Sequence, residues 1–167
     1  MSASSGSTRS TRLPSLGPRG EGWVAIQFVL MAAIVGAGFL EPRWPEGARD
    51  VLRAAGAVLV VAGGVYAVAA GRALGSSLTP FPRPSTRGGL VEAGPYRLVR
   101  HPIYGAVLLV FAGFSLFASV PALALTAALA AVWALKARVE ERFLAARYPS
   151  YAPYVERTPR RFLPYVW

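Results

Sequence analysis

The sequence predicts an all-α integral membrane protein of about four transmembrane helices. The first observation is composition: mean hydropathy is +0.41 and charged residues are 16% of the 167-residue chain, against about 25% in a typical soluble domain. The second is that the apolar residues are gathered in long runs, as in chains that use a bilayer as solvent. The third is that the excess positive charge, +10, lies mainly between these runs and at the ends.

The first two predicted helices are the apolar runs Gly22–Leu40 and Val51–Ala70. The first has no charged residue and the second has one, Arg53 near its start. About 20 apolar residues suffice to cross the hydrocarbon core. Small residues at four-residue spacing in the second run predict a face on which another helix packs closely: Gly63, Ala67 and Gly71.

The next two predicted helices form a hairpin. No charged residue occurs from Ile103 to Leu135. One helix of this length would be about 50 Å long, whereas the hydrocarbon core is about 30 Å thick. The segment Ser119-Val120-Pro121 supplies a break near the middle. The sequence therefore predicts two helices, Ile103–Ala118 and Pro121–Lys136.

The distribution of Lys and Arg predicts the orientation. Fifteen of the eighteen fall in the N-terminal tail, in the loop after the second helix and after the fourth helix; the other three are Arg43, Arg49 and Arg53. The positive-inside rule then places both termini in the cytoplasm, and we expect a bacterial inner (plasma) membrane. Residues 1–20 are rich in Ser, Gly and Arg and are predicted to be a disordered tail, before a membrane-embedded domain at 21–167.

Composition also excludes several functional classes. The chain has no cysteine and one histidine, which excludes disulfides, thiolate chemistry and a metal site with several histidines. The net charge of +10 would suggest nucleic acid for a soluble chain, but no basic helix or aromatic-rich sheet pattern supports that reading. Basic cytoplasmic loops explain the charge in a membrane protein, so no nucleic-acid partner is expected.

Two polar segments are candidates for chemistry. The loop from Arg72 to Pro102 is about thirty residues long, which is unusual for a structureless connection, and Leu90-Val91 within it is compatible with a short strand. Arg100 and His101 directly precede Pro102, a residue that suits the first position of a helix. The positive end of that helix favours a carboxylate-bearing ligand. The alternative is that His101 caps the helix and Arg100 meets lipid headgroups.

The second polar segment follows the fourth predicted helix. Lys136 and Glu140 are four residues apart, and Arg138 and Glu141 are three apart, so both pairs can meet on a helix. The alternative is a surface tail of snorkelling cations and interfacial tyrosines. Because the charge distribution puts both polar segments on one membrane face, we expect a pocket between them.

Two motifs in these segments resemble the isoprenylcysteine carboxyl methyltransferase and phospholipid methyltransferase superfamily. The first is GPYRLVRHPIYGAVLL, Gly94 to Leu109, and the upstream LGSSLTPFPRP is similar to bacterial members. The second motif consists of Glu140, Glu141, Leu144, Tyr151, Tyr154, Arg161, Phe162 and Pro164. The resemblance covers about Gly71 to Pro164. It implies an all-helical membrane enzyme that binds S-adenosylmethionine near the cytoplasmic face, without the Rossmann fold of soluble methyltransferases.

The resemblance also implies roles for individual residues. The cofactor pocket would contain Leu90, Val91, Tyr96, Arg100, His101, Pro102, Tyr104 and Glu140. Glu140 and Glu141 would face the ammonium or sulfonium end of the cofactor. Arg138 stands where the isoprenylcysteine enzymes have a catalytically important arginine, so Arg138 and Glu141 are the predicted catalytic residues. No metal is expected.

The implied reaction is methyl transfer to a small lipophilic acceptor reached from the membrane. An isoprenoid or prenylcysteine carboxylate, a lipid amine and a thiol all fit, which leaves O-, N- and S-methylation open. Two other functions remain alternatives: an NADPH-dependent membrane reductase of the related steroid and enone reductase type, and a non-enzymatic membrane scaffold.

Overall fold

The computed structural model describes residues 13–41 and 43–164, and within them it contains five helices and no strand. The helices are α1 (Glu21–Ala37), α2 (Glu46–Leu74), α3 (Pro102–Ala118), α4 (Val120–Arg147) and α5 (Tyr151–Arg157). Single 3₁₀ turns occur at Gly75–Ser77 and Gly94–Arg97. The predicted all-α class is confirmed. Residues 1–12 of the tail predicted to be disordered lie outside the described residues.

The four long helices pack as a row in the order α2–α3–α4–α1. The buried residues of α2 are seven apart: Gly56, Gly63 and Ala70. A Cβ atom on Gly63 would lie 2.7 Å from the carbonyl oxygen of Ala106 on α3, whereas one on Gly71 would have no atom within 4 Å. The helix contact therefore repeats every seven residues, and the four-residue spacing predicted through Gly71 is wrong.

The helical hairpin breaks where the sequence predicts. Ser119 is extended (φ −161°, ψ 160°) between α3 and α4, and its hydroxyl accepts the backbone N–H of Ala122. The same hydroxyl donates to the carbonyl of Ala37 at 2.6 Å, which ties the hairpin to the end of α1. Helix α4 continues past Lys136 to Arg147, so three further turns carry its polar residues beyond the apolar part.

Two of the helices are long and apolar enough to cross a bilayer, α2 with its 3₁₀ extension and α4. Helices α1 and α3 have 17 residues each, which is the short limit for a span. The outer face of α2 exposes a series of apolar side chains, Val51, Val58, Val61, Val65 and Val68, all at least half exposed. An apolar surface of this kind fits lipid rather than water as its solvent.

The long loop after α2 and the C-terminal segment gather at one end of the row. The loop after α2 is irregular at Leu90-Val91, so the short strand considered there is absent. Helix α5, which the sequence analysis did not predict, leads into a C-terminal segment that lies against the start of α3. The backbone N–H groups of Arg100 and His101 donate to the carbonyls of Arg160 and Arg161 at 3.0 and 2.7 Å.

Candidate active site

Glu141 lies at the centre of a cluster of charged residues from three parts of the chain. Its carboxylate accepts Arg100 Nε at 2.9 Å from the start of α3. Arg161 of the C-terminal segment donates Nε and Nη2 to the two carboxylate oxygens at 3.1 and 3.0 Å, and His101 Nε2 lies 3.3 Å away. The hydrogen bonds to Glu141 raise the pKa of the Arg161 guanidinium above its ordinary value. Glu141 therefore joins α4, α3 and the C-terminal segment.

Three of the five N–H donors of the Arg100 guanidinium are used within the described part of the chain, which leaves the two on Nη2. Besides Glu141, its guanidinium donates to the backbone carbonyls of Thr158 and Pro159, both at 2.8 Å. Since the amides of Arg100 and His101 bond to the C-terminal segment, the helix start does not present them to an anion. Any attraction of an anion to the start of α3 therefore does not involve these two amides.

Glu140 has a different environment from its neighbour. Its carboxylate accepts the hydroxyl of Tyr104 at 2.7 Å, and His101 Nδ1 lies 3.9 Å away. The rings of His101 and Tyr104 are stacked with centroids 5.4 Å apart, and Trp133 stacks on the other side of Tyr104 at 5.0 Å. Phe162 packs edge-on against His101 and Tyr104. These rings hold the Tyr104 hydroxyl, and hence Glu140, in a fixed place.

A buried lysine lies one helical turn before Glu140. Lys136 is fully buried, and its ammonium donates to Gln27 Oε1 at 2.5 Å and to the carbonyl of Pro80 at 2.7 Å. The same Gln27 oxygen accepts the indole N–H of Trp133 at 3.1 Å. Gln27 thus fixes two side chains of α4 from α1, a contact that the sequence analysis missed.

Two cavities meet at these residues. The larger, about 280 Å³, has the polar groups of His101, Lys136 and Glu140 at one end and mostly apolar walls elsewhere, including Phe28, Met31, Ile103 and Val107. The smaller, about 70 Å³, is lined by the loop after α2 and by α4 and α5. They share the side chains of Leu74, Thr79, Tyr96, Arg100 and Glu140. The larger volume is near the lower end of the range for small-molecule sites, roughly 300–1,000 Å³.

Most of the predicted cofactor residues line these cavities. Tyr96, Arg100 and Glu140 line both, His101 and Tyr104 line the larger, and Leu90 and Val91 line the smaller. Three predicted residues line neither: Pro102, Arg138 and Glu141. Pro102 is buried as the first residue of α3, and Arg138 is exposed on α4.

Tyr96 belongs to the wall between the cavities and is held by α5. The hydroxyl of Tyr154 donates to the Tyr96 carbonyl at 2.8 Å. Burial raises the pKa of both tyrosines, so the hydroxyl of Tyr154 stays protonated and keeps this hydrogen bond. Within residues 13–41 and 43–164, no group of three or more His, Asp or Glu side chains is placed to hold a metal ion.

The sequence analysis missed several lining residues that lie far apart in the chain. Gln27, Phe28 and Met31 come from α1, and Leu74 and Leu78 from the end of α2 and the loop. The one signal for Gln27 was a polar residue inside an otherwise apolar run, a position where a polar side chain needs a partner.

Comparison with known proteins identifies the family. Residues 51–150, more than half of the chain, match the phospholipid methyltransferase family. The chain is also 46% identical over 77 residues to the cobalt-zinc-cadmium resistance protein CzcN of Cupriavidus metallidurans. That match covers 44% of this chain and 35% of the relative, so this chain spans about a third of the relative's length. On the family match, the chain belongs to the phospholipid methyltransferase family of membrane methyltransferases, within the isoprenylcysteine and phospholipid methyltransferase superfamily.

Proposed function

We propose that the protein transfers the methyl group of S-adenosylmethionine to a small lipophilic acceptor. One observation carries the proposal: a mostly apolar cavity and a smaller one share a wall made by Tyr96, Arg100 and Glu140. Because the two cavities share these lining residues, they adjoin each other, and ligands held in them would lie side by side. Methyl transfer to a good nucleophile needs chiefly this positioning and the exclusion of water.

The cofactor would lie along the shared wall. Glu140 supplies an anion for its ammonium or sulfonium, and His101 supplies a ring N–H for its carboxylate. Leu90 and Val91 in the smaller cavity supply apolar contacts for its adenosine. Glu141 acts through Arg100 and His101, since its carboxylate bonds to their side chains and lines neither cavity.

The acceptor would occupy the apolar part of the larger cavity. Phe28, Met31, Ile103 and Val107 provide walls for a hydrocarbon portion. Lys136 lines the same cavity and has three N–H donors, of which two are used by Gln27 and Pro80. The third would orient a polar group of the acceptor toward the shared wall.

The proposal includes a membrane arrangement. We infer four spanning helices with both termini in the cytoplasm of a bacterium, because fifteen of eighteen Lys and Arg lie on one side. The cavities then lie at the cytoplasmic end of the row, where a soluble cofactor and a membrane-borne acceptor meet.

Ligand-dependent thermal stability in detergent tests the cofactor. S-adenosylhomocysteine, the product form, should stabilise the protein, and NADPH should not. The variant His101→Ala should bind S-adenosylhomocysteine about ten- to a hundred-fold more weakly by calorimetry, since it loses a hydrogen bond to a charged group. Arg43→Gln, which changes an exposed residue that lines neither cavity, is the control and should bind S-adenosylhomocysteine as the unmodified protein does. Stabilisation by NADPH alone would instead support the reductase.

Arg138 is tested separately, because its exposed side chain lines neither cavity. If it orients the acceptor, Arg138→Lys lowers turnover and leaves cofactor affinity unchanged, since lysine loses the bidentate geometry. Lys136→Met should also lower turnover, because it removes the ammonium that is proposed to orient the acceptor in the larger cavity. Full activity of Arg138→Lys would leave Arg138 as a headgroup anchor.

A further inference from the structure

A third concave surface lies beside the two cavities and is lined by four arginines: Arg19, Arg83, Arg87 and Arg147. Its volume is about 570 Å³, and the side chains of Thr79, Ser85 and Thr86 also line it. None of the Asp and Glu residues in the described part of the chain contributes to its lining. We call it the arginine site. Guanidiniums and hydroxyls together are the donors that recognise phosphate.

Two of these arginines, Arg19 and Arg147, contact aromatic rings, and Arg19 lies close enough to Glu21 to interact with its charge. The guanidinium of Arg19 lies 4.0 Å from the centre of the Phe81 ring. Arg147 donates to the carbonyl of Pro84 at 3.4 Å and lies 5.4 Å from the centre of the Tyr148 ring. Glu21 accepts the backbone N–H of Arg19, and no ion pair joins any of the four guanidiniums to a carboxylate among residues 13–41 and 43–164.

The position of the arginine site points to a lipid headgroup. Leu78 and Thr79 line both this site and the larger, mostly apolar cavity, and Leu78 is exposed. The site begins four residues after α2 ends at Leu74, so it lies just beyond the end of a helix of membrane-spanning length. Arginines at this depth attract anionic lipids of the adjacent leaflet.

We propose that the arginine site binds the phosphate-bearing headgroup of an anionic phospholipid. An acyl chain beside exposed Leu78 would remain in the bilayer while the phosphate contacts the guanidiniums. This site goes beyond methyl transfer, because it requires neither the cofactor nor the acceptor.

Reconstitution in lipid nanodiscs tests the proposal with phosphatidylglycerol as the probe. The melting temperature should be higher in mixed phosphatidylglycerol and phosphatidylcholine than in phosphatidylcholine alone, by about 2–4 °C. The double variant Arg83→Gln/Arg87→Gln should lose most of this rise. The control Arg72→Gln/Arg97→Gln removes two exposed arginines from the ends of the same loop and should keep it.

Two results would overturn the proposal. Equal loss in both double variants would show a general surface-charge effect without a site. An equal rise on adding inorganic phosphate to phosphatidylcholine nanodiscs would assign the arginines to a soluble anion. Since the measurement contains no cofactor, a failure of the methyl-transfer proposal leaves this test unaffected.

Discussion

The two adjacent glutamates of α4 differ in what surrounds them. Glu141 accepts three hydrogen bonds from Arg100 and Arg161, lies 3.3 Å from His101 Nε2, and holds the C-terminal segment on α3. Glu140 accepts the hydroxyl of Tyr104 and lines both cavities. The pair of acids in the sequence motif therefore divides into a residue that joins three parts of the chain and a residue that lines both cavities.

This division predicts opposite effects of two conservative variants. Glu140→Gln should weaken S-adenosylhomocysteine binding about ten- to a hundred-fold and leave the melting temperature nearly unchanged. Glu141→Gln should lower the free energy of unfolding by about 1.5–3 kcal/mol, because charged partners lose an ionic hydrogen bond. Calorimetry and thermal unfolding of both variants check this. A reversed pattern would exchange the two roles.

The buried side chain of Lys136 depends on Gln27 for a hydrogen-bond partner. A buried ammonium needs oxygen partners, and Gln27 supplies one of the two found here. Gln27→Leu should therefore destabilise the protein by about 1–3 kcal/mol. Adding Lys136→Met should recover part of that loss, since the ammonium that lacks a partner is removed. Thermal unfolding of the single and double variants measures the coupling, and additive losses would contradict it.

At the scale of the elements, local sequence features predicted the four long helices and the break between α3 and α4, but neither α5 nor the extension of α4 to Arg147. The charge-free run from Ile103 to Leu135 is too long for one span, and Pro121 marks the end of the break that the structure shows at Ser119. The sequence did not predict which face of α2 packs on α3, because Gly71 is as small as Gly63 and nothing local distinguishes their surroundings. The face of α2 that is buried depends on where α3 approaches it.

The glycines of α2 provide a matched test of that packing. Gly63→Ala should destabilise the protein by about 1–3 kcal/mol, because the added Cβ would lie 2.7 Å from the Ala106 carbonyl oxygen. Gly64→Ala, one residue later, would place its Cβ in open space and should be neutral or slightly stabilising. Thermal unfolding in one detergent compares the two. Equal effects of the two substitutions would contradict the packing explanation.

Some residues of the candidate site could be predicted from local sequence, whereas others depend on contacts between distant parts of the chain. Arg100, His101, Tyr104 and Glu140 stand in compact motifs that resemble a family, so they could be predicted from the sequence, and all four line the larger cavity. Gln27 meets Lys136 across 109 positions of the chain, and no local pattern connects an amide in an apolar run to a lysine in a basic segment. Contacts of this separation depend on how the whole row of helices packs.

At the scale of the whole molecule, the charge distribution predicts the topology. Reporter fusions at the C-terminus and within residues 43–50 should report opposite sides of the membrane, with the C-terminus cytoplasmic, because the basic residues stay on the side where they are made. Alkaline phosphatase and fluorescent-protein fusions measure this in cells. Reports from the same side would contradict four spans.

Because α1 supplies Gln27, the position at which the chain is cut affects the candidate site. Residues 51–150 carry the family match, yet Gln27 lies before them and Arg161 after them. A fragment cut to the matched residues would bury the ammonium of Lys136 with one oxygen partner fewer and leave Glu141 without Arg161. Conversely, exchanging α1 between relatives would change three cavity-wall residues, Gln27, Phe28 and Met31, without touching His101 or Glu140. If the larger cavity holds the acceptor as proposed, acceptor preference would then diverge through a helix that lies outside the matched residues.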